Sequence, residues 1–272
     1  MMRSLYSAVS GLQTHQTKMD VLGNNIANVN TTGFKKGQVT FHDMLSQTLS
    51  DATEGDDSTG GINAKQVGTG VMVGAINNIH TQGAPTTTGL ATHLMIQGEG
   101  FFILEQNDKT YYTRAGAFTM DNHGNLVNSA NGALVCDYYN GAPITIGDYG
   151  GNISIAADGT ISYTSDSGEA KKHTQTIGLA TFSNPAGLKK AGENMYIASD
   201  ASGEPSPDAV YDYDQPGTGS AGTLISGALE MSNVDLAQEF VDMIITQRGF
   251  QANSRTIRVS DEMLQEVINI KR

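Results

Sequence analysis

The chain has 272 residues, a formal net charge of −12 and a pI of about 4.8. This length supports one large domain or two small ones, and the acidic balance without clustered Lys or Arg excludes nucleic acid and anionic membranes as expected partners. The single cysteine, Cys136, excludes an internal disulfide and a cysteine-based metal cluster, and no run reaches the roughly 18 apolar residues of a membrane span.

Glycine and proline separate the two ends of the chain from its middle. All six prolines and 29 of the 32 glycines lie between residues 31 and 230. Because both residue types interrupt helices and favour turns, this distribution predicts two long terminal helices around a β-rich interior. The predicted fold class is therefore α+β.

The first predicted helix covers residues 3 to 29. Its apolar side chains recur at helical spacing, and charged residues are few. A helix with so little charge is not typical of a solvated surface, so its polar face is expected to contact protein as well. The predicted packing positions are Leu5, Val9, Leu12, Met19, Leu22 and Ile26.

Three asparagines near the end of this helix allow two interpretations. Asn24, Asn25 and Asn28 are poor helix formers and can mark a fraying end before Thr31, Thr32 and Gly33 stop the helix. Alternatively, their amides bond to a neighbouring backbone. The pattern favours neither interpretation.

Residues 31 to 80 read as an extended or loop-like connector, with an acidic stretch rich in glycine and threonine at 50 to 70. Residues 90 to 200 read as short strands about every ten residues, which predicts a sandwich or barrel-like domain. The turn signals between them include Asn107-Asp108 and Asp158-Gly159. Cys136 is interpreted as a small buried strand residue.

The last forty residues predict the longest helix. Ser232 and Asp235 form a predicted capping pair at its start. The apolar stripe that follows is interrupted by polar residues and cannot be buried by one helix alone, so the first helix is its expected partner. The positions of the stripe are Leu236, Phe240, Met243, Ile244, Phe250, Ile257, Leu264 and Ile268.

Signals for catalysis or for a cofactor are weak. The glycines of GTGVMVG at 68 to 74 lack the Lys and Ser or Thr of a phosphate-binding loop, and the six histidines have no zinc-ligand spacing. A β-domain hydrolase acting on cell-wall glycan would need a carboxylate pair in a cleft, and the acidic residues fall in turn composition instead. The sequence therefore predicts a protein that is not an enzyme and has no cofactor and no metal.

Several motifs resemble a known family. SAVSGLQTHQTKMDVLGNNIANVNTTGFKK, which ends with Phe34 and two lysines, resembles the N-terminal signature of the flagellar rod and hook proteins. LMIQGEGFFIL and YTRAGAFTMDNHGNLVN resemble the central motifs of that family. SGALEMSNVDLAQEFVDMIITQRGFQANSRTIRVSDEMLQEVINIKR resembles its C-terminal signature. The motifs occur in the family's order and cover both ends and much of the middle.

The resemblance implies a domain division and a mode of assembly. Residues 1–30 and 232–272 would form a coiled-coil axial core lining a channel, 31–80 a connector, 81–222 a β-rich outer domain and 223–231 a return linker. It implies a subunit that polymerises helically, with the apolar positions above, the three asparagines and Phe34 in subunit packing. It also implies export through the flagellar type III apparatus without a cleaved signal, to a site outside the cell.

Within the family, two stretches favour a hook subunit, a flexible joint that transmits torque from rod to filament. They are GTLISGALEMSNVDLAQEF, together with the MIITQRGFQANSR that follows it, and TGLATHLMIQGEGFF. The alternative is a distal rod subunit, a drive shaft of the same design, whose short length the chain also fits. The expected partners are further copies of the chain, the distal rod and hook–filament junction proteins, the hook cap and the export apparatus, with no nucleic acid and no membrane insertion.

Overall fold

The computed structural model describes residues 2–55, 60–147, 152–165, 169–206 and 213–270. The chain forms two compact units. The helical unit comprises Met1–Ala27, Gly37–Asn78 and Asp235–Arg272, and the β-rich unit comprises Asn28–Lys36 and Ile79–Val234. Part of the acidic stretch, residues 56–59, and the last two positions of the predicted final helix lie outside the described residues.

The described part of the helical unit contains both long helices and four strands. The helices, α1 and α2, pack against each other, and the strands form two antiparallel pairs, β1 with β4 and β2 with β3. This confirms the predicted helix at each end of the chain. The bounds are α1 (Met2–Ala27), β1 (Gly37–Asp43), β2 (Ser46–Ser50), β3 (Lys65–Gly68), β4 (Val71–Asn78) and α2 (Leu236–Ile270).

The start of α2 differs from the predicted capping pair. The carboxylate of Asp235 accepts hydrogen bonds from the N–H groups of Ala237 and Gln238, at 2.9 and 3.4 Å. The hydroxyl of Ser232 accepts only from Val234, at 3.3 Å, before the helix begins. Asp235 is therefore the cap, because its carboxylate satisfies the first free N–H groups of the helix and also suits the helix dipole.

Strand pairing in residues 37 to 78 was not apparent from the sequence. Every residue of the β2–β3 hairpin strands is exposed, on both faces, so the strands carry no alternation of apolar and polar residues. The hairpin continues outward through a bridge between Thr53 and Ile62. The irregular composition of the hairpin thus reflects its solvent exposure, and the role of residues 31 to 80 as a separate connector stays a prediction.

The β-rich unit is built mainly of antiparallel strands. Among its described residues, eight strands form one open sheet in the order β16-β17-β8-β7-β11-β10-β9, with β15 also paired to β7. A three-stranded sheet, β12-β13-β14, and the pairs β5–β19 and β6–β18 complete it. The bounds are β5 (Pro85–Thr87), β6 (Leu94–Gln97), β7 (Phe101–Gln106), β8 (Lys109–Thr113), β9 (Phe118–Met120), β10 (Leu126–Asn128), β11 (Leu134–Val135), β12 (Ile153–Ile155), β13 (Thr160–Thr164), β14 (Ala170–Thr176), β15 (Leu179–Ala180), a 3-10 helix (Pro185–Gly187), β16 (Lys189–Gly192), β17 (Met195–Ile197), β18 (Thr223–Ser226) and β19 (Ala228–Glu230).

The two larger sheets share one core, as expected of sandwich-like packing. Phe102 and Leu104 of β7 lie in the same buried cluster as Ile155 of β12 and Ile161 of β13. Because side chains alternate between the two faces of a strand, Phe101 and Ile103 of β7 lie in a second buried cluster. This cluster includes Cys136. Cys136 is 1% exposed, and burial raises the pKa of its thiol to about 12, so its predicted place as a buried residue is confirmed.

The predicted turn at Asn107-Asp108 joins β7 and β8. Both residues have positive φ, 53° and 59°, the backbone that a two-residue hairpin of type I′ requires. Asparagine and aspartate tolerate this region better than other residues with a side chain. The turn sets the register that pairs Phe102 with Thr113 across the hairpin.

Among the described residues, no helix is both long enough and apolar enough to cross a membrane.

Candidate functional site

The contact between α1 and α2 depends on two glycines. A Cβ atom on Gly11 would lie 2.5 Å from the side-chain nitrogen of Asn253, and one on Gly249 would lie 2.7 Å from the ring of His15. Each glycine therefore leaves room for a polar side chain of the other helix. Since later residues of α1 meet earlier residues of α2, the helices run antiparallel.

Asn25 joins three segments of the helical unit. Its side-chain oxygen accepts the N–H of Gly37 at 3.0 Å, and its amide donates to the Gly37 carbonyl at 2.9 Å and to a carboxylate oxygen of Glu239 at 3.0 Å. Asn25 is 1% exposed and Glu239 is 3% exposed. For Asn25, the alternative of bonding to a neighbouring backbone is therefore correct, and this amide ties α1 to both β1 and α2.

The other three predicted positions around the end of α1 lie in different surroundings. Asn24 is exposed, and Asn28 is half-buried and accepts a hydrogen bond from the hydroxyl of Thr31 at 3.1 Å. Phe34 is buried, with the ammonium of Lys190 above its ring at 5.1 Å. Asn28 and Phe34 belong to the β-rich unit, so the signature motif extends over both units.

The predicted apolar positions do not all face the opposite helix. Leu22 is buried, whereas the most exposed ones present at least two fifths of their surface. In their place, polar or small residues, among them Glu239, Thr246 and Ser260, are buried on α2. The partly buried positions are Leu5, Leu12, Met19, Ile26, Met243, Phe250, Ile257 and Leu264, and the exposed ones are Val9, Leu236, Phe240, Ile244 and Ile268.

The predicted single stripe is therefore divided between the helix pair and the outer surface. The two helices approach each other closely at Gly11 and Gly249, so small and polar residues fill the contact between them. Several large apolar side chains therefore lie on the outer surface of the helix pair. Phe240 and Ile244 are 50% and 57% exposed, and Leu49 and Ile62 of the hairpin region are each 60% exposed. Large apolar side chains are thus exposed on both α2 and the hairpin region in the single chain. The role of the predicted positions in subunit packing remains a prediction.

A buried ion pair links distant parts of the β-rich unit. The ammonium of Lys35 lies 2.6 Å from a carboxylate oxygen of Glu230, and both side chains are fully buried. Lys35 also donates to the carbonyl of Thr81 at 2.7 Å, and the N–H of Gly83 donates to the same Glu230 oxygen at 2.8 Å. Burial lowers the pKa of Lys35, an effect that the charge of Glu230 opposes.

Two further side chains border this pair. The guanidinium of Arg114 lies 3.7 Å from the second oxygen of Glu230 and 5.1 Å from the ring centre of Phe101, and it donates to the carbonyl of Gly98 at 2.9 Å. The ring of His80 packs edge-on against Phe101 at 5.5 Å. Burial, reinforced by the charges of Lys35 and Arg114, lowers the pKa of His80 to about 4, so this ring is neutral at pH 7.

These contacts were not predicted from the sequence. The family motif ended on two lysines, and the structure buries the first of them, Lys35, against a glutamate 195 residues away. Helical spacing identified apolar side chains, so it passed over Gly11 and Gly249. Among the described residues, no cluster of three His, Cys, Asp or Glu side chains is suited to hold a metal ion. The contacts described above join segments that lie far apart in the sequence.

Comparison with protein families finds three matches in chain order. Residues 5–35 match the family described as "Flagella basal body rod protein". Residues 95–163 match "Flagellar hook protein FlgE/F/G D1 domain", and residues 225–270 match "Flagellar basal body rod FlgEFG protein C-terminal".

Comparison with individual proteins finds similarity over the full chain. The chain is 48% identical over 272 residues to the flagellar basal-body rod protein FlgG of Bacillus subtilis, and the alignment covers 100% of both chains. It is 37% identical over 275 residues to FlgG of Borreliella burgdorferi, again covering 100% of both. The flagellar hook protein FlgE of the same organism is 31% identical, with both chains fully covered in an alignment of 447 residues.

Proposed function

Since the chain belongs to the family of flagellar hook and basal-body rod proteins, we propose that it is a subunit of the distal rod, the drive shaft of the flagellum. This family consists of structural components, so the chain is a structural protein of the flagellum and not an enzyme. The observation that carries the rod assignment is the full-length identity of 48% to a rod protein of the same length.

The length of the relatives supports the rod over the hook. Within Borreliella burgdorferi, the rod relative aligns over 275 residues and the hook relative over 447. The hook relative therefore carries a long additional region, whereas the rod relative does not. The hook interpretation, which two shared sequence stretches favoured, is thus less well supported than its rod alternative.

The β2–β3 hairpin is a second argument for a rigid tube. A shaft that transmits torque without bending needs stiff contacts between subunits, and a paired hairpin is stiffer than a loop of the same length. Leu49, Ile62 and Val67 in and beside this hairpin are 60%, 60% and 40% exposed. We take these side chains as apolar contacts between neighbouring subunits.

Assembly would use the helical unit as its inner layer. In this proposal α1 and α2 form a coiled-coil layer around an axial channel, and repeated head-to-tail contacts between copies produce an open helical tube. The exposed apolar residues of α2 would be buried between copies. The remaining partners would be the neighbouring rod and hook proteins and the type III export apparatus, which would deliver the chain without cleavage of a signal.

A deletion strain distinguishes a rod subunit from a hook subunit. Electron microscopy of basal bodies purified from cells that lack this gene should show a rod truncated before the outer ring. Re-expression of the intact chain serves as the control and should restore the full rod. A complete rod through both rings without a hook would contradict the rod assignment and return the chain to the hook.

A further inference from the structure

The last two turns of α2 extend beyond the helix that it pairs with. His15 lies opposite Gly249, and the helices run antiparallel, so Met2, thirteen residues before His15, falls opposite Glu262, thirteen residues after Gly249. Residues 263–270 therefore project past the start of α1 by about 12 Å. We call this segment the α2 overhang.

The overhang has an apolar face with one acidic residue. Met263, Val267 and Ile270 are spaced at i, i+4 and i+7, so they lie on one side of the helix. They are 44%, 53% and 85% exposed. Glu266, at i+3, belongs to the same side. By the helix register no described residue of α1 lies opposite Val267 or Ile270, whereas Met263 still borders a groove that Ser4 of α1 also lines.

A groove of about 440 Å³ lies elsewhere on the helical unit. On α1, Tyr6, Val9 and Gln13 project from the side opposite Gly11 and His15, at 100° per residue, and therefore away from α2. A hydrogen bond of 3.3 Å from the N–H of Val71 to the hydroxyl of Ser10 fixes the strands beside the helix. The groove is lined by Arg3, Tyr6, Val9, Gln13, Met44 and Thr69.

We propose that this groove receives the α2 overhang of a second copy of the chain. Both surfaces are apolar and exposed, since Tyr6 is 66% and Met44 is 41% exposed. Arg3 at the groove and Glu266 on the overhang carry opposite charges and form the one charged pair that this contact would bring together. Arg3 lies in the first turn of α1, where the helix dipole adds a partial positive charge.

Within one chain, the overhang cannot reach the groove. By the same register, Tyr6 falls opposite Arg258, and Val267 lies nine residues, or about 13 Å, farther along α2. The contact therefore joins two copies through two different surfaces, and such a contact propagates instead of closing on a two-fold axis. This inference rests on the proposed function as a polymer subunit and identifies one of its contacts.

Cysteine cross-linking of the full chain tests the contact. Tyr6→Cys and Val267→Cys are combined in one chain, and oxidation under assembling conditions should give a ladder of dimers, trimers and longer products. A disulfide needs Cα atoms within about 7 Å, so these cysteines cannot pair within one chain. The native Cys136 is buried and does not compete. The matched control combines Tyr6→Cys with Ile245→Cys, an exposed α2 residue outside the overhang, and should give no ladder.

A charge reversal provides a second measurement. Arg3→Glu in the double-cysteine chain should slow cross-linking several-fold, and adding Glu266→Arg should restore it. Sedimentation in the same samples reports polymerisation independently. Chains that sediment without a 6–267 cross-link would overturn the inference and leave the proposed function standing. Cross-links that stop at dimers would also overturn it. Chains that neither sediment nor cross-link would contradict both.

Discussion

Replacing Lys35 by methionine is expected to lower the free energy of unfolding of the β-rich unit by about 3–5 kcal/mol. The ammonium of Lys35 is the closest positive charge to the fully buried carboxylate of Glu230, at 2.6 Å. Methionine has a similar volume, so the change removes the charge with little change in packing. Glu230 would then remain buried with Arg114 at 3.7 Å as its remaining cation among the ion pairs described.

Urea unfolding followed by tyrosine fluorescence measures this effect, since the chain has ten tyrosines and no tryptophan. Lys171→Met is the matched control: Lys171 is exposed on β14, and its loss should change the stability by less than about 0.5 kcal/mol. Equal stabilities for the two variants would show that the buried pair does not hold this unit together.

Replacing Gly11 by leucine is expected to raise the protein concentration needed for polymerisation by roughly 100-fold. Even a Cβ atom at Gly11 would lie 2.5 Å from the side chain of Asn253, and leucine adds three further carbons at this point. Overpacking of this size costs about 3 kcal/mol, and each 1.4 kcal/mol corresponds to about a tenfold change in an equilibrium constant. The cost arises in the α1–α2 contact, so the β-rich unit should keep its stability.

The chain offers a matched control on the same helix. A Cβ atom at Gly23 meets nothing within 4 Å, so Gly23→Leu adds the same side chain where there is room. It also removes a poor helix former, so it should leave polymerisation unchanged or improve it. Sedimentation across a concentration series compares the two variants. An equal loss in both would mean that leucine acts through the outer surface of α1 and not through the helix pair.

The sequence predicted the elements of the fold better than their contacts. Long terminal helices, a strand-rich middle and the Asn107-Asp108 hairpin follow from local composition and spacing, because each depends on neighbouring residues. The contact between Gly11 and Asn253 joins residues 242 positions apart along the chain. One sequence contains no signal for such a pairing. The β2–β3 hairpin was not predicted for a different reason: its exposed strands show no alternation of apolar and polar residues.

The residues of the candidate site were predicted only in part, again because their contacts join distant parts of the chain. Helical spacing selects large apolar residues, and one of them, Leu22, is buried in the single chain. The same rule also assigned Phe240 and Ile244 to the helix pair, whereas both are exposed in the single chain. For Asn25 the sequence left two interpretations open, because its bond to Glu239 crosses 214 residues. Rod and hook proteins share the terminal motifs, so these motifs alone do not distinguish a rod subunit from a hook subunit.

Amide hydrogen exchange, compared between monomer and polymer, tests most directly whether the terminal helices carry assembly. Residues 2–27 and 236–270 expose apolar side chains in the single chain, so assembly should slow their exchange strongly. Residues 94–135 supply much of the buried core of the β-rich unit in the single chain, so their amides should exchange slowly in both monomer and polymer. Slow exchange of both helices in a proven monomer, with no further slowing in the polymer, would contradict the account.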